Sequence, residues 1–420
     1  MSLPLNAPAP RKPLMALDDA LDRLLATVTP LRDIEQVDCL AADGRFLAQE
    51  LVSALHVPAL DNSSMDGYAV RCADIQVGGA GLAVSQRIAA GSDAASLRDP
   101  LLPGTVARIF TGAPIPPGAD AVVPQEETRT EGDPHPVVSF TAPVVPGQWI
   151  RRAGEDVRLG QTVLHAGQCL GPAELGLAAS IGFAQLPVLR RPRVALFSTG
   201  DELVMPGTVA PADMRPGAIY NSNRFFLRAL LQRLGCAVSD LGIVPDQRQA
   251  TLDALAQAAQ GHDVIVTSGG VSVGEEDHIK PAVQTLGTLD LWQLAIKPGK
   301  PFAHGRMGAT HFVGLPGNPV SSFITFLLLV RPLLLRLQGV SDVGYSALTL
   351  AAHFDWPKPD RRREFLRARR NAQGGLDLFP NQSSGVLTSA VWADGVVDVP
   401  AGSTISWGDG VRFIPFSGWV

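Results

Sequence analysis

The chain has 420 residues, of which 46% are hydrophobic and 18% are charged. At roughly 100–200 residues per domain, this length predicts about two to four domains. The composition excludes a disordered or fibrous protein. The 35 basic and 40 acidic residues give a formal net charge of −5, which disfavours a nucleic-acid-binding protein.

Cysteine usage and apolar patterning indicate where the protein works. The four cysteines are scattered singly, which is typical of a reducing compartment and argues against structural zinc. The N-terminal segment is broken by prolines and lacks a continuous apolar core, so we expect no secretory signal. The longest apolar run, Phe323–Val330, contains Thr325 and is far shorter than the ~18 residues of a membrane span. We therefore expect a cytoplasmic protein with no membrane and no nucleic-acid partner.

Within the first 190 residues, the sequence pattern changes once, from helical to strand-like. Leucines at helical spacing predict a helix from Leu17 to about Thr27. From about residue 46 to 190, short apolar runs are separated by Gly and Pro turns, which predicts a β-rich, turn-dense region. Residues 338–420 return to short alternating runs with Gly turns, which predicts a small β-barrel or sandwich.

Residues 192–338 alternate between buried-strand and helix patterns. The predicted strands are Val194–Ser198, Ala237–Val244, Val264–Thr267, Leu291–Ile296 and His311–Leu315. The predicted helices are Asn221–Leu234, a helix capped by Asp246 and ending at Gly261, His278–Leu286, and a helix from Asn318-Pro319 to about Leu337. Such alternation predicts a doubly wound, mostly parallel α/β sheet.

The predicted domain division follows these changes. An N-terminal helical and linker domain is discontinuous, over residues 14–55 and 155–190. A β-rich domain is inserted at residues 56–154. The α/β domain covers residues 191–337, and a C-terminal β-barrel covers residues 338–420.

Unusual loops follow five of the predicted strands. Ligands of an open α/β sheet bind outside the carboxyl ends of its strands, and these loops fall at that edge. The loops are Ser198–Glu202, Pro245-Asp246, Ser268–Asp277, Lys297–Pro301 and Pro316–Pro319.

The residue types in these loops suit a phosphate ligand. Glycines expose successive backbone N–H groups that bind anions, and Lys297 and Lys300 add point charges. The carboxylates of Glu202, Asp246 and Asp277 are the kind of ligand that Mg²⁺ takes together with substrate phosphates. A nucleotide or pyrophosphate substrate is therefore indicated. The predicted substrate-binding residues are Ser268, Gly269, Gly270, Ser272, Lys297, Lys300, Pro316, Gly317, Asn318 and Pro319.

Plainer interpretations compete with this one. Any single loop is more often an ordinary strand-to-helix turn, and Asp246 alone is more often only an N-cap. The run Glu275–Asp277 alone is usually a solvated face. Five such loops on one predicted edge favour the functional interpretation.

Two further patterns are interpreted as non-catalytic. Gly270–Gly274 matches the GxSxG pattern of a nucleophile elbow, but that elbow needs the serine at a sharp strand-to-helix turn. Ser272 lies five residues beyond Thr267 and is followed by acidic residues, so phosphate binding is the favoured role. His304 and His311 lack partners at metal-ligand spacing and are interpreted as structural.

Three clusters lie outside the α/β segment. Asp61–Ala69 and Arg108–Pro114 are polar runs that resemble hairpin turns. Arg361–Arg370 is the one strongly basic run. A solvated strand face, an oxyanion site and an RNA-binding patch are the alternatives for it, and the acidic net charge weighs against RNA.

Seven motifs in order resemble one family. NSSMDGYA, FTGAP, RRAGED, STGDEL, TSGGVSVGEEDHIK, KPGKPF and GLPGNPVS occur between about residues 60 and 322. The chain in this respect resembles the MoeA-like molybdopterin molybdenumtransferases, the family that includes the E domain of gephyrin-type proteins.

The resemblance implies an architecture and a reaction. It implies a homodimer of four-domain subunits, whose doubly wound sheet is related to molybdopterin adenylyltransferases and whose last domain is a small β-barrel. The implied reaction inserts molybdate into the dithiolene of adenylylated molybdopterin and releases AMP, with Mg²⁺ or another divalent cation. The active site would lie at the subunit interface, and an adenylyltransferase is an expected partner protein.

The resemblance also assigns residues by motif position. The functional acids and hydroxyl fall on Asp66, Thr111, Asp156, Glu202, Asp246 and Asp277. Arg362 and Ser384 match positions associated with the molybdate oxyanion. Two alternative functions stay open: adenylyl transfer from ATP to molybdopterin, and a non-catalytic scaffold of the gephyrin kind.

Overall fold

The structure is a computed structural model that describes residues 14–92, 99–270 and 278–418. The chain divides into two compact units. One comprises Met1–Glu35, Gly44–Ala48 and Pro187–Val420, and the other comprises Gln36–Asp43 and Gln49–Leu186. The four-domain division expected from the sequence stays a prediction.

The strands are numbered in chain order. They are β1 (Ile34–Asp38), β2 (Leu51–Val52), β3 (Asn62–Ser63), β4 (Gly67–Val70), β5 (Leu82–Ile88), β6 (Thr105–Ile109), β7 (Ala121–Pro124), β8 (Thr128–Glu131), β9 (Val137–Phe140), β10 (Ile150–Arg151), β11 (Thr162–Leu164), β12 (Gln185–Leu189), β13 (Arg193–Thr199), β14 (Leu203–Val204), β15 (Ile219–Tyr220), β16 (Ala237–Val244), β17 (Val264–Ser268), β18 (Thr288–Gln293), β19 (Ile296–Lys297), β20 (Pro301–Met307), β21 (Thr310–Leu315), β22 (Leu348–Ala351), β23 (Arg363–Arg370), β24 (Leu376–Leu378), β25 (Gly395–Val399) and β26 (Gly410–Pro415).

The helices are numbered in the same way. They are α1 (Leu17–Ala26), α2 (Pro172–Ser180), α3 (Asn223–Arg233), α4 (Arg248–Ala259), α5 (Ile279–Leu286), α6 (Pro319–Thr325), α7 (Arg331–Leu337) and α8 (Thr388–Trp392). A π-helical turn, Phe326–Val330, joins α6 to α7. Short 3₁₀ turns lie at Cys39–Ala41, Cys72–Asp74, Gln125–Glu127, Pro211–Asp213 and Phe416–Gly418.

The central sheet of the larger unit has the strand order β16-β13-β17-β21-β20-β18. The first four strands are parallel, and β20 is antiparallel to both of its neighbours. The doubly wound, mostly parallel sheet predicted from the sequence is thereby confirmed.

The position of one predicted strand along the chain is wrong. The strand predicted over Leu291–Ile296 is observed as Thr288–Gln293, and Ile296–Lys297 pairs with the C-terminal sheet instead. The strand Pro301–Met307 was not predicted, because its Pro, His, Gly and Arg residues break the apolar run. It is nevertheless buried from Phe302 to Gly305, since it lies inside the sheet between two neighbours.

Alternate residues of the parallel strands enter two separate cores. On β13, Val194 and Leu196 join the core beneath α1, α3, α6 and α7. Ala195 and Phe197 join the core beneath α4 and α5. Both faces of the strand are therefore covered, which explains why its sequence is a continuous apolar run.

The longest helix of the described residues runs from Pro319 to Leu337 through the π turn. By length and composition alone it could cross a membrane, but 83% of its apolar window is buried inside the protein. Pro319 occupies its first position, as predicted. Pro332 has no N–H to continue the helical ladder, and the widened turn directly precedes it.

The C-terminal sheet has the order β19-β23-β25-β26-β22, with β24 paired to the outer part of β23. Its central strand β23 carries most of the basic run. Of the three alternatives for this run, a solvated strand face does not hold for Glu364–Ala368, which are buried. Apolar residues of both neighbouring strands pack around this segment.

The smaller unit is rich in strands, as predicted. Its main sheet has the order β7-β4-β6-β5-β9-β8. Tyr68 and Val70 of β4 enter one core and Ala69 enters another on the opposite face. Two short pairings, β3 with β10 and β2 with β11, complete the strand pairing of this unit.

Candidate functional site

A cavity of about 750 Å³ opens at the carboxyl edge of the central sheet. It is walled by the loops after β13, β17 and β21 and by residues at the start of α3. Predicted site residues that line it are Glu202, Ser268, Gly269, Gly270, Pro316, Gly317, Asn318 and Pro319. The structure thus brings together residues of four of the five loops selected from the sequence, since Pro301 of the loop Lys297–Pro301 also lines the cavity.

Two glycines let the loop after β17 pass close to the end of β13. Gly269 and Gly270 have φ angles of 93° and 67°, a region that residues with a Cβ rarely adopt. A Cβ on Gly269 would lie 2.9 Å from the carbonyl oxygen of Thr199, and one on Gly270 would lie 2.5 Å from Cγ1 of Ile279. Only glycine fits both positions, so the backbone itself forms this wall.

Asn223 holds two walls of the cavity together. Its side chain is 8% exposed, and Nδ2 donates both to Oγ of Ser268 and to the carbonyl oxygen of Gly317, each at 2.7 Å. One amide therefore fixes the end of β17 against the loop after β21. Sequence reasoning missed this residue, because its two partners lie 45 and 94 positions away along the chain.

Asn221 also lines the cavity and was missed. Its Oδ1 accepts a hydrogen bond of 3.2 Å from the backbone N–H of Arg224, which fixes the orientation of the amide. The residue is 2% exposed, and Nδ2 has no hydrogen-bond partner among the described residues. A buried amide left without an acceptor is costly, so this group is suited to donate to a ligand.

The predicted carboxylates occupy neighbouring strand ends. Glu202 folds its carboxylate over Gly200, where a Cβ would lie 2.5 Å from Oε2. Asp246 is half-buried two residues beyond β16. The prediction that Asp246 caps the next helix is wrong: α4 begins at Arg248 with Gln247 at the N-cap position. Asp277 and Ser272 lie outside the described residues, as do the other residues of the GxSxG pattern beyond Gly270.

A loop of the C-terminal sheet reaches the same cavity. Nδ2 of Asn318 donates to Oγ of Ser384 at 3.1 Å, and the backbone N–H of Val320 donates to the carbonyl oxygen of Ser384 at 3.0 Å. Gly385 lines the cavity beside them. The predicted oxyanion residue Ser384 is therefore brought to the predicted phosphate loop.

Lys297 and Arg362 lie apart from the cavity lining and are paired with acids. The Lys297 ammonium lies 2.9 Å from Glu364 and 3.3 Å from Asp360. Arg362 donates from Nε and Nη2 to the two oxygens of Asp360, at 3.0 and 2.9 Å. We refer to Lys297, Asp360, Arg362 and Glu364 as the charge cluster.

The pairing shifts the pKa values of Asp360 and Lys297 in the charge cluster. Hydrogen bonds from Arg362 hold the pKa of Asp360 well below its ordinary value, against the effect of burial. Burial would lower the pKa of Lys297, but the carboxylates of Glu364 and Asp360 raise it. These shifts keep Asp360 ionised and Lys297 protonated at neutral pH.

Lys300 does not line the cavity itself, but its neighbour in the chain does. It is exposed at the start of β20, and the next residue, Pro301, lines the cavity. Its carbonyl oxygen accepts a hydrogen bond of 2.7 Å from the N–H of Leu294, which closes the turn around Lys297–Pro298. The backbone of this turn is therefore fixed, and Lys300 is exposed next to a residue of the cavity wall.

The smaller unit holds the predicted acid Asp66 in a defined geometry. The backbone N–H and the hydroxyl of Thr111 both donate to Oδ1 of Asp66 at 2.7 Å. These hydrogen bonds, with a weaker effect of Arg108, lower the pKa of Asp66. The two residues, drawn from separate motifs, form one exposed corner with an ionised carboxylate.

Asp156 lies in another turn of the smaller unit. Its backbone N–H donates to the carbonyl oxygen of Val57 at 3.0 Å, and its side chain is exposed. No hydrogen bond within the described residues joins it to Asp66 or Thr111. Its catalytic role stays a prediction.

The two histidines interpreted as structural lie on the neighbouring strands β20 and β21 and are buried. His304 and His311 are 4% and 2% exposed, and their rings are joined by a 3.3 Å contact between Nε2 and Nδ1. Burial lowers the pKa of His304 to about 4 and that of His311 to about 3. Within the described ranges, no three His, Cys, Asp or Glu side chains gather at a metal-binding spacing.

A second cavity of about 770 Å³ lies between α1 and the C-terminal sheet. Its charged groups pair with one another: Asp398 is bound by Arg363 at 2.6 Å and lies 3.4 Å from Arg412. None of the predicted site residues lines it. The cavity at the sheet edge is therefore the candidate site.

Comparisons with known proteins cover almost the whole chain. It matches the MoeA N-terminal region (domain I and II) over residues 15–182, a probable molybdopterin binding domain over residues 195–336, and the MoeA C-terminal region (domain IV) over residues 349–416. These three matches follow the order of the three regions that the sequence patterns distinguish: the first 190 residues, residues 192–338 and residues 338–420.

Named relatives are similar over most of their length. A molybdopterin molybdenumtransferase of Haemophilus influenzae is 41% identical over 78% of each chain. Molybdopterin molybdenumtransferase 2 of Mycobacterium tuberculosis is 39% identical over 86% of this chain and 89% of its own. The crystal structure of a molybdopterin biosynthesis MoeA protein from Pyrococcus horikoshii superposes with a TM-score of 0.83 at 27% identity, over 96% of this chain and 100% of that one. The family expected from the seven motifs is thus confirmed, and the chain belongs to the MoeA family.

Proposed function

We propose that this chain is a molybdopterin molybdenumtransferase, which inserts molybdate into the dithiolene of adenylylated molybdopterin and releases AMP. The observation that carries the proposal is the cavity at the sheet edge. Residues of four motif loops and the Ser384 loop converge on it. The names of the relatives, at up to 41% identity, support the same reaction.

The cavity offers the groups that a pyrophosphate-linked substrate needs. The loops at Ser268–Gly270 and Pro316–Pro319 line it with backbone, and Asn221 supplies a buried amide donor. In the proposed complex these groups orient the adenylylated pterin, and Ser384 at the cavity wall faces the molybdate. Cleavage of a phosphoanhydride depends mainly on positioning and charge neutralisation, which such a site favours.

We propose that Mg²⁺ assists at Glu202 and Asp246, with Asp277 as a further ligand. Carboxylate oxygens from neighbouring strand ends suit a cation that takes one or two carboxylates plus substrate phosphates. The space above Gly200, which a Cβ would fill, is taken by the Glu202 carboxylate, so that this group stays at the cavity wall. Bound Mg²⁺ would neutralise charge on the phosphate oxygens.

A homodimer is part of the proposal. The Asp66–Thr111 corner holds an ionised, exposed carboxylate without a paired cation among the described residues. We propose that this corner and Asp156 act on the cavity of the other subunit, that the protein is cytoplasmic, and that an adenylyltransferase supplies its substrate.

The experiment is incubation with adenylylated molybdopterin, Mg²⁺ and molybdate, with AMP and finished cofactor as readouts. We expect AMP release that requires molybdate and is abolished by EDTA. A parallel reaction with ATP and non-adenylylated molybdopterin should give no adenylylated product. Adenylylation there, or no molybdate-dependent AMP release, contradicts the proposed function, and activity in EDTA contradicts the metal.

A further inference from the structure

Arg367 is a buried cation without an acidic partner. It lies in β23 and is 1% exposed. Its guanidinium donates from Nη1 to the carbonyl oxygen of Phe365 at 3.0 Å, from Nε to Oγ of Ser389 at 3.2 Å, and from Nη2 to the carbonyl oxygen of Ser383 at 3.4 Å. All three acceptors are neutral.

Two neighbouring arginines, by contrast, have acidic partners. Arg363 is paired with Asp398 at 2.6 Å, and Arg362 is paired with Asp360. No carboxylate of the described residues forms such a pair with Arg367, and burial lowers its pKa to about 10. It is still protonated at neutral pH. A buried charge without a counter-charge is costly, so the position of this guanidinium calls for an explanation.

Arg367 is hydrogen-bonded to the loop that contains Gln382, Ser383 and Ser384, and this loop reaches the cavity. Gln382 clamps the main chain of Arg367 twice: Oε1 accepts from its N–H at 2.9 Å, and Nε2 donates to its carbonyl oxygen at 3.0 Å. Nη2 holds the carbonyl of Ser383, and the next residue, Ser384, bonds Asn318 and Val320 at the cavity wall. The guanidinium therefore binds the residue that precedes Ser384 in the chain. We refer to the hydrogen-bonded pair Ser384 and Asn318 as the Ser384–Asn318 corner.

We propose that Arg367 is a positioning residue that also places an unpaired positive charge behind the Ser384–Asn318 corner, so that this corner prefers a tetrahedral dianion to a monoanion of the same shape. The inference rests on the proposed function, since it assumes that molybdate binds at this corner. A Coulomb interaction scales with the charge of the ligand, and a buried charge is screened less than an exposed one.

The test compares tungstate, a dianion, with perrhenate, a monoanion of the same tetrahedral shape. Equilibrium dialysis of the full-length protein gives both affinities. For Arg367→Met we expect about a tenfold loss for perrhenate and about a hundredfold loss for tungstate, so that the affinity ratio changes about tenfold. The matched control is Arg369→Met, because Arg369 lies on the same strand but is exposed. Its affinity ratio should equal that of the wild type.

Three outcomes separate the hypotheses. Equal losses of both anions in Arg367→Met would overturn the inference and leave the molybdate site standing. Failure of the wild type to bind tungstate would overturn both the inference and the proposed molybdate site. If circular dichroism shows that Arg367→Met is unfolded, Arg367→Lys decides: it keeps the charge but not the three-way contact, so a wild-type affinity ratio supports the inference and a collapsed ratio overturns it.

Discussion

Asp66 and Asp360 are two carboxylates whose pKa values are both depressed, by different neighbours. Asp66, in the smaller unit, accepts two hydrogen bonds from the N–H and hydroxyl of Thr111. Asp360, in the larger unit, is bound by the guanidinium of Arg362 and lies 3.3 Å from the Lys297 ammonium. Neutral donors leave the negative charge of Asp66 available to a ligand, whereas the cations cancel that of Asp360.

The difference shows that a charged residue in a motif is not by itself a free ligand group. Lys297 and Arg362 were both expected to bind anions, and both are paired with carboxylates in this structure. Asp66 was expected to be a functional acid, with a simple turn as the plainer alternative, and it is held ionised with one oxygen fixed. Among the described residues, the Asp66 carboxylate therefore has no paired cation, whereas the acids and bases of the charge cluster are paired with one another.

The largest effect is expected for Asp66→Asn. The amide oxygen can still accept both hydrogen bonds from Thr111, so the variant removes the charge and keeps the corner. We expect molybdate-dependent AMP release to fall at least about a hundredfold, as for other preorganised catalytic groups, with an unchanged thermal midpoint. Thr111→Val is the control, because it removes one donor and keeps the charge, and its loss should be smaller. Wild-type turnover by Asp66→Asn would show that the corner is only a turn.

Asn223→Ala tests whether neutral donors also build the cavity. The variant leaves the Ser268 hydroxyl and the Gly317 carbonyl without the amide that joins them. We expect the free energy of unfolding to fall by about 1–3 kcal/mol and the affinity for the adenylylated substrate to fall about tenfold or more. Urea denaturation and a binding titration measure the two effects. Gln249→Ala, an exposed helix position, is the control. Unchanged substrate affinity would contradict a role of Asn223 in shaping the site.

The sequence predicted the α/β sheet and its family because these depend on local patterns. Parallel strands such as β17 are buried on both faces and appear as continuous apolar runs. Seven motifs in the same order as in the family were sufficient to predict family membership. The glycines of the loop after β17 could be interpreted from their residue type alone, since backbone N–H groups and tight turns need them.

The missed features depend on contacts between distant residues. The bonds of Asn223 cross 45 and 94 positions, and an asparagine at a helix start carries no sign of them. The pairing of Lys297 with Glu364 joins the α/β segment to the C-terminal sheet, and β19 pairs with β23 of that sheet. Charge partners across two sheets leave no periodicity in the sequence.

Lys297→Met tests whether the charge cluster is structural. The Glu364 side chain is 2% exposed, and the lysine lies 2.9 Å away, so its loss leaves a buried carboxylate bonded only to Nε1 of Trp356 among the described residues. We expect the free energy of unfolding to fall by about 2 kcal/mol, less than for a fully buried pair because the lysine is partly exposed. The double variant Lys297→Met/Glu364→Gln should recover part of this loss. Strictly additive losses in urea denaturation would contradict the pairing.

The smallest effect is expected for Asp360→Asn, and it depends on pH. The pKa of Asp360 lies below its ordinary value of 3.8 in the folded protein, so its ionisation stabilises the fold at every pH above that ordinary value. As the pH falls below about 4, the unfolded chain binds the proton first, and this contribution is progressively lost. We therefore expect the wild type to exceed the variant by about 1 kcal/mol at pH 7, after allowance for solvent screening. The difference should shrink between about pH 4 and pH 2. Urea denaturation across that range measures it, and a difference that grows as the pH falls would mean that Asp360 is not stabilised by Arg362 and Lys297.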